Sequence, residues 1–216
     1  MKWLLGAGVA ALFALGALAA GFGIANRESG DAARDAAAPD RPSEGPYRGS
    51  EPPGRIRLEP FALSSYRGGR VSSSSLAGEV VALTFLESKC QEACPIIAVQ
   101  LARGVDRLTP AERRQVRVIA ISTHPGDDTP ANVRRFLAQR RAIGRLDYLI
   151  GSEAELRPVW RSYHVLSALD SGDADTHSAS VHIYNRNRVW VSSLHPGIDL
   201  TPANFVHDVR RALSDS

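Results

Sequence analysis

Hydrophobic and polar positions fall into three regimes along the chain. From Trp3 to Ala25 the run WLLGAGVAALFALGALAAGFGIA holds 23 residues without a charge. As a helix rising ~1.5 Å per residue it is ~35 Å long, enough to cross a hydrocarbon core of ~30 Å. Lys2 precedes the run, and Arg27 and Glu28 follow it, so the pattern predicts a single transmembrane helix within 1–26. A cleaved export signal is the alternative, because small-residue triplets occur near its end, but the apolar part of such signals usually covers only ~7–15 residues. Both readings export the rest of the chain. Residues 27–54 are rich in Ala, Asp, Arg, Gly, Pro and Ser and show no apolar period, which predicts a flexible linker.

From residue 55 to 216 the pattern becomes that of a folded domain. FALSS (Phe61–Ser65), the pair Gly68-Gly69 and a second strand from Arg70 predict a β-hairpin. EVVALTFLES (Glu79–Ser88) and VRVIAIST (Val116–Thr123) are continuous apolar runs, the mark of strands buried on both faces. Between them Pro95 opens the helix PIIAVQLARGVDRL, since proline is tolerated only in a helix's first turn. Asp128-Thr129-Pro130 caps a helix ANVRRFLAQRRA, LDYLI reads as a strand, and Ser152 starts the helix SEAELRPVWRSY. A polar loop covers Ser167 to Ser178. VHIYN and RVWVSS flank the turn Arg186-Asn187, and TPANFVHDVRRALS closes the chain as an amphipathic helix. The order β, α, β, α, then hairpin and helix implies an α/β domain: a mostly parallel sheet with right-handed crossovers, extended by an antiparallel hairpin. A thioredoxin-like fold with an N-terminal β extension has this architecture.

Composition narrows the function. The formal net charge is +3 over 216 residues, with 24 Arg and 2 Lys interleaved with acids. No basic stripe with aromatics between is present, so a nucleic-acid partner is not expected. Two cysteines are too few for a disulfide-built scaffold. Cys90 and Cys94 form instead a pair at one place: the loop between a buried strand and the helix that Pro95 opens. In open α/β sheets sites form outside the carboxyl ends of the strands. The helix N-terminus contributes partial positive charge and free N–H groups, which stabilise a thiolate. Lys89 adds a positive charge beside Cys90, and Glu92 offsets it. A static, inert disulfide is the bland alternative.

Six histidines are possible partners: His124, His164, His177, His182, His195 and His207. Position singles out His177, at the start of a strand after the long polar loop, and His124, at the carboxyl end of a central strand on the same edge as the cysteine loop.

Three motifs carry a resemblance. KCQEACP has the CxxxCP pattern of Sco/SenC proteins; THPGDDTP (Thr123–Pro130) resembles their Asp-Pro-x-x-Asp-Thr-Pro turn; THSASVHIYN (Thr176–Asn185) resembles their Asp-His-Ser/Thr strand opening. They occur in the family's order and at about its spacing, and the resemblance runs from about Arg57 to the C-terminus. It implies a thioredoxin-like fold. It also implies that Cys90, Cys94 and His177 bind copper, and that the protein is a chaperone assembling the binuclear copper centre of cytochrome c oxidase. The implied setting is the inner membrane, with one anchoring helix and the domain on the periplasmic side. Implied partners are the oxidase's copper-centre subunit, or another exported cuproprotein, and a thiol–disulfide reductant. Two thiolates and one imidazole form a soft, low-coordinate set that suits Cu(I), with Cu(II) left open. Oxidising the pair would remove two ligands and make loading depend on redox state.

The surroundings depart from the family. Leu86-Glu87-Ser88-Lys89 stands where an aromatic and a small residue are usual, Gln91 replaces a Pro, Thr176 replaces the Asp before the histidine, and His124 replaces the first Asp of the turn. A thiol–disulfide oxidoreductase using Cys90 and Cys94 as catalytic residues, without His177, is therefore the main alternative. A peroxiredoxin-like peroxidase needs Thr or Ser and a Pro shortly before its nucleophile, and only Ser88 is present here.

Overall fold

The computed structural model describes residues 45–165 and 180–215. The apolar run 3–25, most of the expected linker and the segment carrying His177 lie outside the described residues. Among the described residues, no helix is long and apolar enough to cross a membrane.

The expected hairpin forms from β1 (Ala62–Ser65) and β2 (Arg70–Ser72), turning through Gly68 and Gly69. Both glycines take positive φ, +94° and +81°, which their missing Cβ makes cheap. The chain continues through β3 (Val80–Leu86), α1 (Ala93–Arg107), α2 (Pro110–Arg113) and β4 (Val116–Ser122). Then follow α3 (Pro130–Gln139), β5 (Asp147–Ile150), α4 (Glu153–Ser162), β6 (Val181–Tyr184), β7 (Trp190–Leu194) and α5 (Pro202–Ser214). One seven-stranded sheet runs β2-β1-β5-β4-β3-β6-β7. Strands β3, β4 and β5 are parallel; β1 joins β5, and β6 joins β3, antiparallel. All seven residues of β3 are buried, as its continuous apolar run predicts.

The sheet is covered on both faces. On one, Val80, Ala82 and Leu86 of β3 meet Ile97 and Leu101 of α1, Phe136 of α3 and Phe205 and Val209 of α5. On the other, Val81, Leu83 and Phe85 pack with Leu156 and Trp160 of α4 and with Leu58 and Phe61 ahead of the hairpin. Helices α1 and α5 pack closely because Gly104 leaves room: a Cβ there would lie 2.4 Å from the Phe205 ring.

Three local expectations change. The helix after Thr129 stops at Gln139 rather than running to Ala142, because Arg141 takes a left-handed φ of 52°. The one-turn α2, closed by a Thr109–Glu112 capping box, was not expected. The end of the expected linker is docked rather than free. Tyr47 is buried, Ser50 bridges to Ser193 of β7, and the amides of Arg48 and Gly49 donate to the Asp208 carboxylate at 2.7 and 2.9 Å. Asp208 is fully buried in α5 and also accepts from Ser192 Oγ at 2.6 Å.

Candidate metal centre

The Cys90–Cys94 loop leaves the carboxyl end of β3, the strand between β4 and β6. Helix α1 begins at Ala93 with Glu92 as its N-cap, so Cys94 and Pro95 occupy the first turn and Cys90 lies in the loop before it. The helix thus starts two residues ahead of Pro95, still within the turn that proline tolerates. Both cysteines are free thiols; Cys94 is buried and Cys90 is partly exposed.

The two sulfurs are hydrogen-bonded to each other, and the pair is asymmetric. The Cys94 thiol donates to the Cys90 sulfur, and the backbone N–H groups of Glu92, Ala93 and Cys94 add to it. Together they outweigh burial and bring the Cys90 thiol down to about 6. Cys94 moves the other way: donating its proton to Cys90, and being buried, holds its thiol well above the usual range. The helix N-terminus therefore acts on Cys90 as expected from the sequence. The expected effect of Lys89 is replaced by a different pairing: its ammonium bonds to Asp127 Oδ1 at 2.5 Å.

The loop is held from beneath by Asp128, which is 2 % exposed. Its carboxylate accepts from the Ser88 amide at 2.7 Å, from Ser122 Oγ at 2.6 Å and from the Tyr148 hydroxyl at 2.9 Å. Those donors come from the cysteine loop, the end of β4 and β5. The Tyr148 hydroxyl also lies 2.7 Å from the carbonyl of Leu86, the last residue of β3. Trp160 Nε1 donates to the Ser122 carbonyl at 2.8 Å from the other face.

Three further polar side chains gather at the mouth. Glu87, His124 and Asp127 each place one donor atom within 4.8 Å of the others. Burial is the main reason that the Glu87 carboxyl is raised, against the lowering effect of His124. The Asp127 amide donates to His124 Nδ1 at 3.1 Å, and Asp127 Oδ2 lies 3.4 Å from the same nitrogen.

The structure thus brings Cys90, Cys94 and His124 to one sheet edge. It leaves His182 on the β6–β7 hairpin, stacked on Trp190 with centroids 4.2 Å apart. His195 approaches Asp199, and His207 bonds Asp208 on α5. His177 falls outside the described residues. Glu87 and the hub role of Asp128 were not singled out from the sequence. The signals for Asp128 were its place in the THPGDDTP turn and in the cap of the helix after it.

A mixed α/β core with a cysteine pair at the first turn of the helix after a central strand defines a protein of thioredoxin-like fold. A sequence model of the SCO1/SenC family matches residues 50–214, and the chain belongs to that family. A SCO1 protein homolog of Bacillus subtilis (strain 168) is 26% identical over 165 residues, covering 74% of this chain and 84% of the homolog. BsSco, described as a member of the Sco family of cytochrome c oxidase assembly proteins with a disulfide switch, superposes with a TM-score of 0.63 at 26% identity, covering 77% of this chain and 99% of BsSco. The copper-bound ScoI of Bradyrhizobium japonicum superposes with a TM-score of 0.57 at 26% identity, covering 73% of this chain and 100% of that one.

Proposed function

We propose that this protein is a copper chaperone that carries Cu(I) on Cys90, Cys94 and His177 and delivers it to the copper centre of cytochrome c oxidase. The observation that carries this is the free, hydrogen-bonded thiol pair at the mouth of α1, with Cys90 brought down to about 6. A thiolate already formed near neutral pH binds a soft ion without a large deprotonation cost. The donor set fits Cu(I), since thiolate and imidazole are the soft and borderline ligands it prefers.

The sheet topology supports the third ligand. Strand β6 runs antiparallel to β3 with Leu83 opposite His182, so β6 begins at the edge where the cysteine loop leaves. His177 precedes Val181 by only four residues, a tether of at most ~14 Å. Copper-bound and oxidase-assembly relatives of similar fold support the cargo and its destination. The apolar run 3–25 would tether the domain to the inner membrane from the periplasmic side. Three ligands leave one side of the ion open for exchange.

The test is a Cu(I) competition titration of the reduced full chain in detergent against a chromophoric chelator. One Cu(I) per chain is expected. Cys90→Ala, Cys94→Ala and His177→Ala should each lower affinity by a hundredfold or more. Unchanged affinity in all three variants would sink the proposal.

A second reading is favoured by one observation. The partly exposed, acidified Cys90 beside a buried, proton-retaining Cys94 has the polarity of an attacking and a resolving thiol. On that reading the pair exchanges disulfides with exported proteins, and His177→Ala retains full disulfide reductase activity.

A further inference from the structure

The mouth of the site holds donors that the Cu(I) set does not use. Glu87, His124 and Asp127 bring two carboxylates and an imidazole, all half-buried, with one donor atom of each within 4.8 Å of the others. Donors bound to one ion at ~2.1 Å stand ~3–4.2 Å apart, so the group closes if its atoms draw together by roughly 1 Å. The Asp127 amide donates to His124 Nδ1 at 3.1 Å, so an ion bound through that nitrogen would displace this donor.

Charge points the same way. Glu87 and Asp127 bring two negative charges, and buried Asp128 lies next in sequence. Among the described residues Lys89 is the one Lys or Arg paired with any of them, and it takes Asp127 alone; His124 approaches Asp127 as well. Among the described residues no side chain donates a hydrogen bond or an ion pair to the partly exposed Glu87 carboxylate. A half-buried carboxylate without a donor beside a second carboxylate is unfavourable unless a cation or proton joins them. An imidazole with two carboxylates is a nitrogen–oxygen set, harder than the thiol pair next to it. Such sets favour divalent ions, with Cu(II) first among the first-row metals.

We propose that Glu87, His124 and Asp127 form a second metal subsite, adjoining the thiol pair, that takes a divalent ion such as Cu(II). The subsite needs neither thiol nor His177, so it stands or falls separately from the Cu(I) carrier. Its neighbour is close: the Glu87 amide donates to the Cys94 sulfur, and the Cys90 amide to the Glu87 carbonyl at 3.3 Å. An ion held by Glu87 would sit at the entrance to the soft site.

The test uses the full chain in detergent carrying Cys90→Ser and Cys94→Ser, which removes the soft donors and prevents reduction of the probe. Cupric ion is titrated in and followed by electron paramagnetic resonance. One Cu(II) per chain is expected, with hyperfine structure from a single nitrogen. His124→Ala and Glu87→Gln in that background should each weaken binding at least tenfold. Circular dichroism checks the fold, and Glu87→Gln, which keeps the side chain's shape, decides the matter if His124→Ala unfolds. No Cu(II) bound by the cysteine-free chain, or equal affinity in the Glu87→Gln variant, would overturn the proposal. Cu(I) affinity of the unmutated chain is measured apart and bears only on the carrier function.

Discussion

The Asp128 carboxylate accepts the backbone amide of Ser88 at 2.7 Å, and through that bond the loop carrying Cys90 is fixed to the end of the neighbouring strand. Ser122 and Tyr148 complete the coordination of the same carboxylate. Replacing it by alanine strands up to three buried donors, each costing about 1–3 kcal/mol. Asp128→Ala should destabilise the domain by about 3–5 kcal/mol in urea unfolding, with Asp128→Asn intermediate. A loss under about 1 kcal/mol would mean that the hub does not hold the loop.

Cys90 should react as a thiolate well below the ordinary thiol range. Its alkylation by iodoacetamide, read by mass spectrometry, should rise with pH through a midpoint about 6 and level off above pH 7. The bond from the Cys94 thiol is the largest cause, so Cys94→Ala should move the midpoint upward. A midpoint above 8 in the unmutated chain would contradict this.

His182 sets an acid limit on stability. Burial lowers its imidazole to about 4 from an ordinary 6.5, so the folded state disfavours the proton. Stability from this group is complete above pH 6.5 and declines as pH falls toward 4, by roughly 3 kcal/mol across that window. His182→Phe, which keeps the stack on Trp190, should flatten the urea midpoint between pH 6.5 and 4. An unchanged slope would place the acid sensitivity elsewhere.

Gly49 should be irreplaceable in the docked strap. A Cβ there would lie 2.4 Å from both Ser192 Oγ and the Ser193 carbonyl, against backbone that cannot yield. Gly49→Ala should detach residues 47–50 and abolish amide exchange protection at Ser50, whose N–H donates to Ser193 O at 2.9 Å. Cys90 alkylation should stay unaltered, because the strap seats on β7 and α5. Retained protection at Ser50 would contradict the steric argument.

The sequence made the sheet and the place of the thiols legible because local physics decides both. The continuous apolar runs of β3 and β4 read as buried strands, and Pro95 confines Cys94 to a helix start. What remained hidden depends on distant partners. Tyr47 sits in a polar, proline-rich stretch, and its burial follows from Asp208, about 160 residues later, capturing the amides beside it. Asp128 reads from sequence as part of a helix cap; its hub role needs donors from the cysteine loop, β4 and β5 at once. Lys89 follows the same rule. Adjacency suggested that it assists Cys90, but Asp127, 38 positions away, claims it. Glu87 looked like the polar end of a strand, and only the fold puts His124 and Asp127 beside it.

The most direct test of the copper carrier is X-ray absorption at the copper edge of the full chain loaded with one Cu(I). The expected spectrum has two sulfur scatterers and one nitrogen, and His177→Ala should remove the nitrogen while both sulfurs stay. A spectrum unaltered by His177→Ala, or one without two sulfurs, would contradict the account.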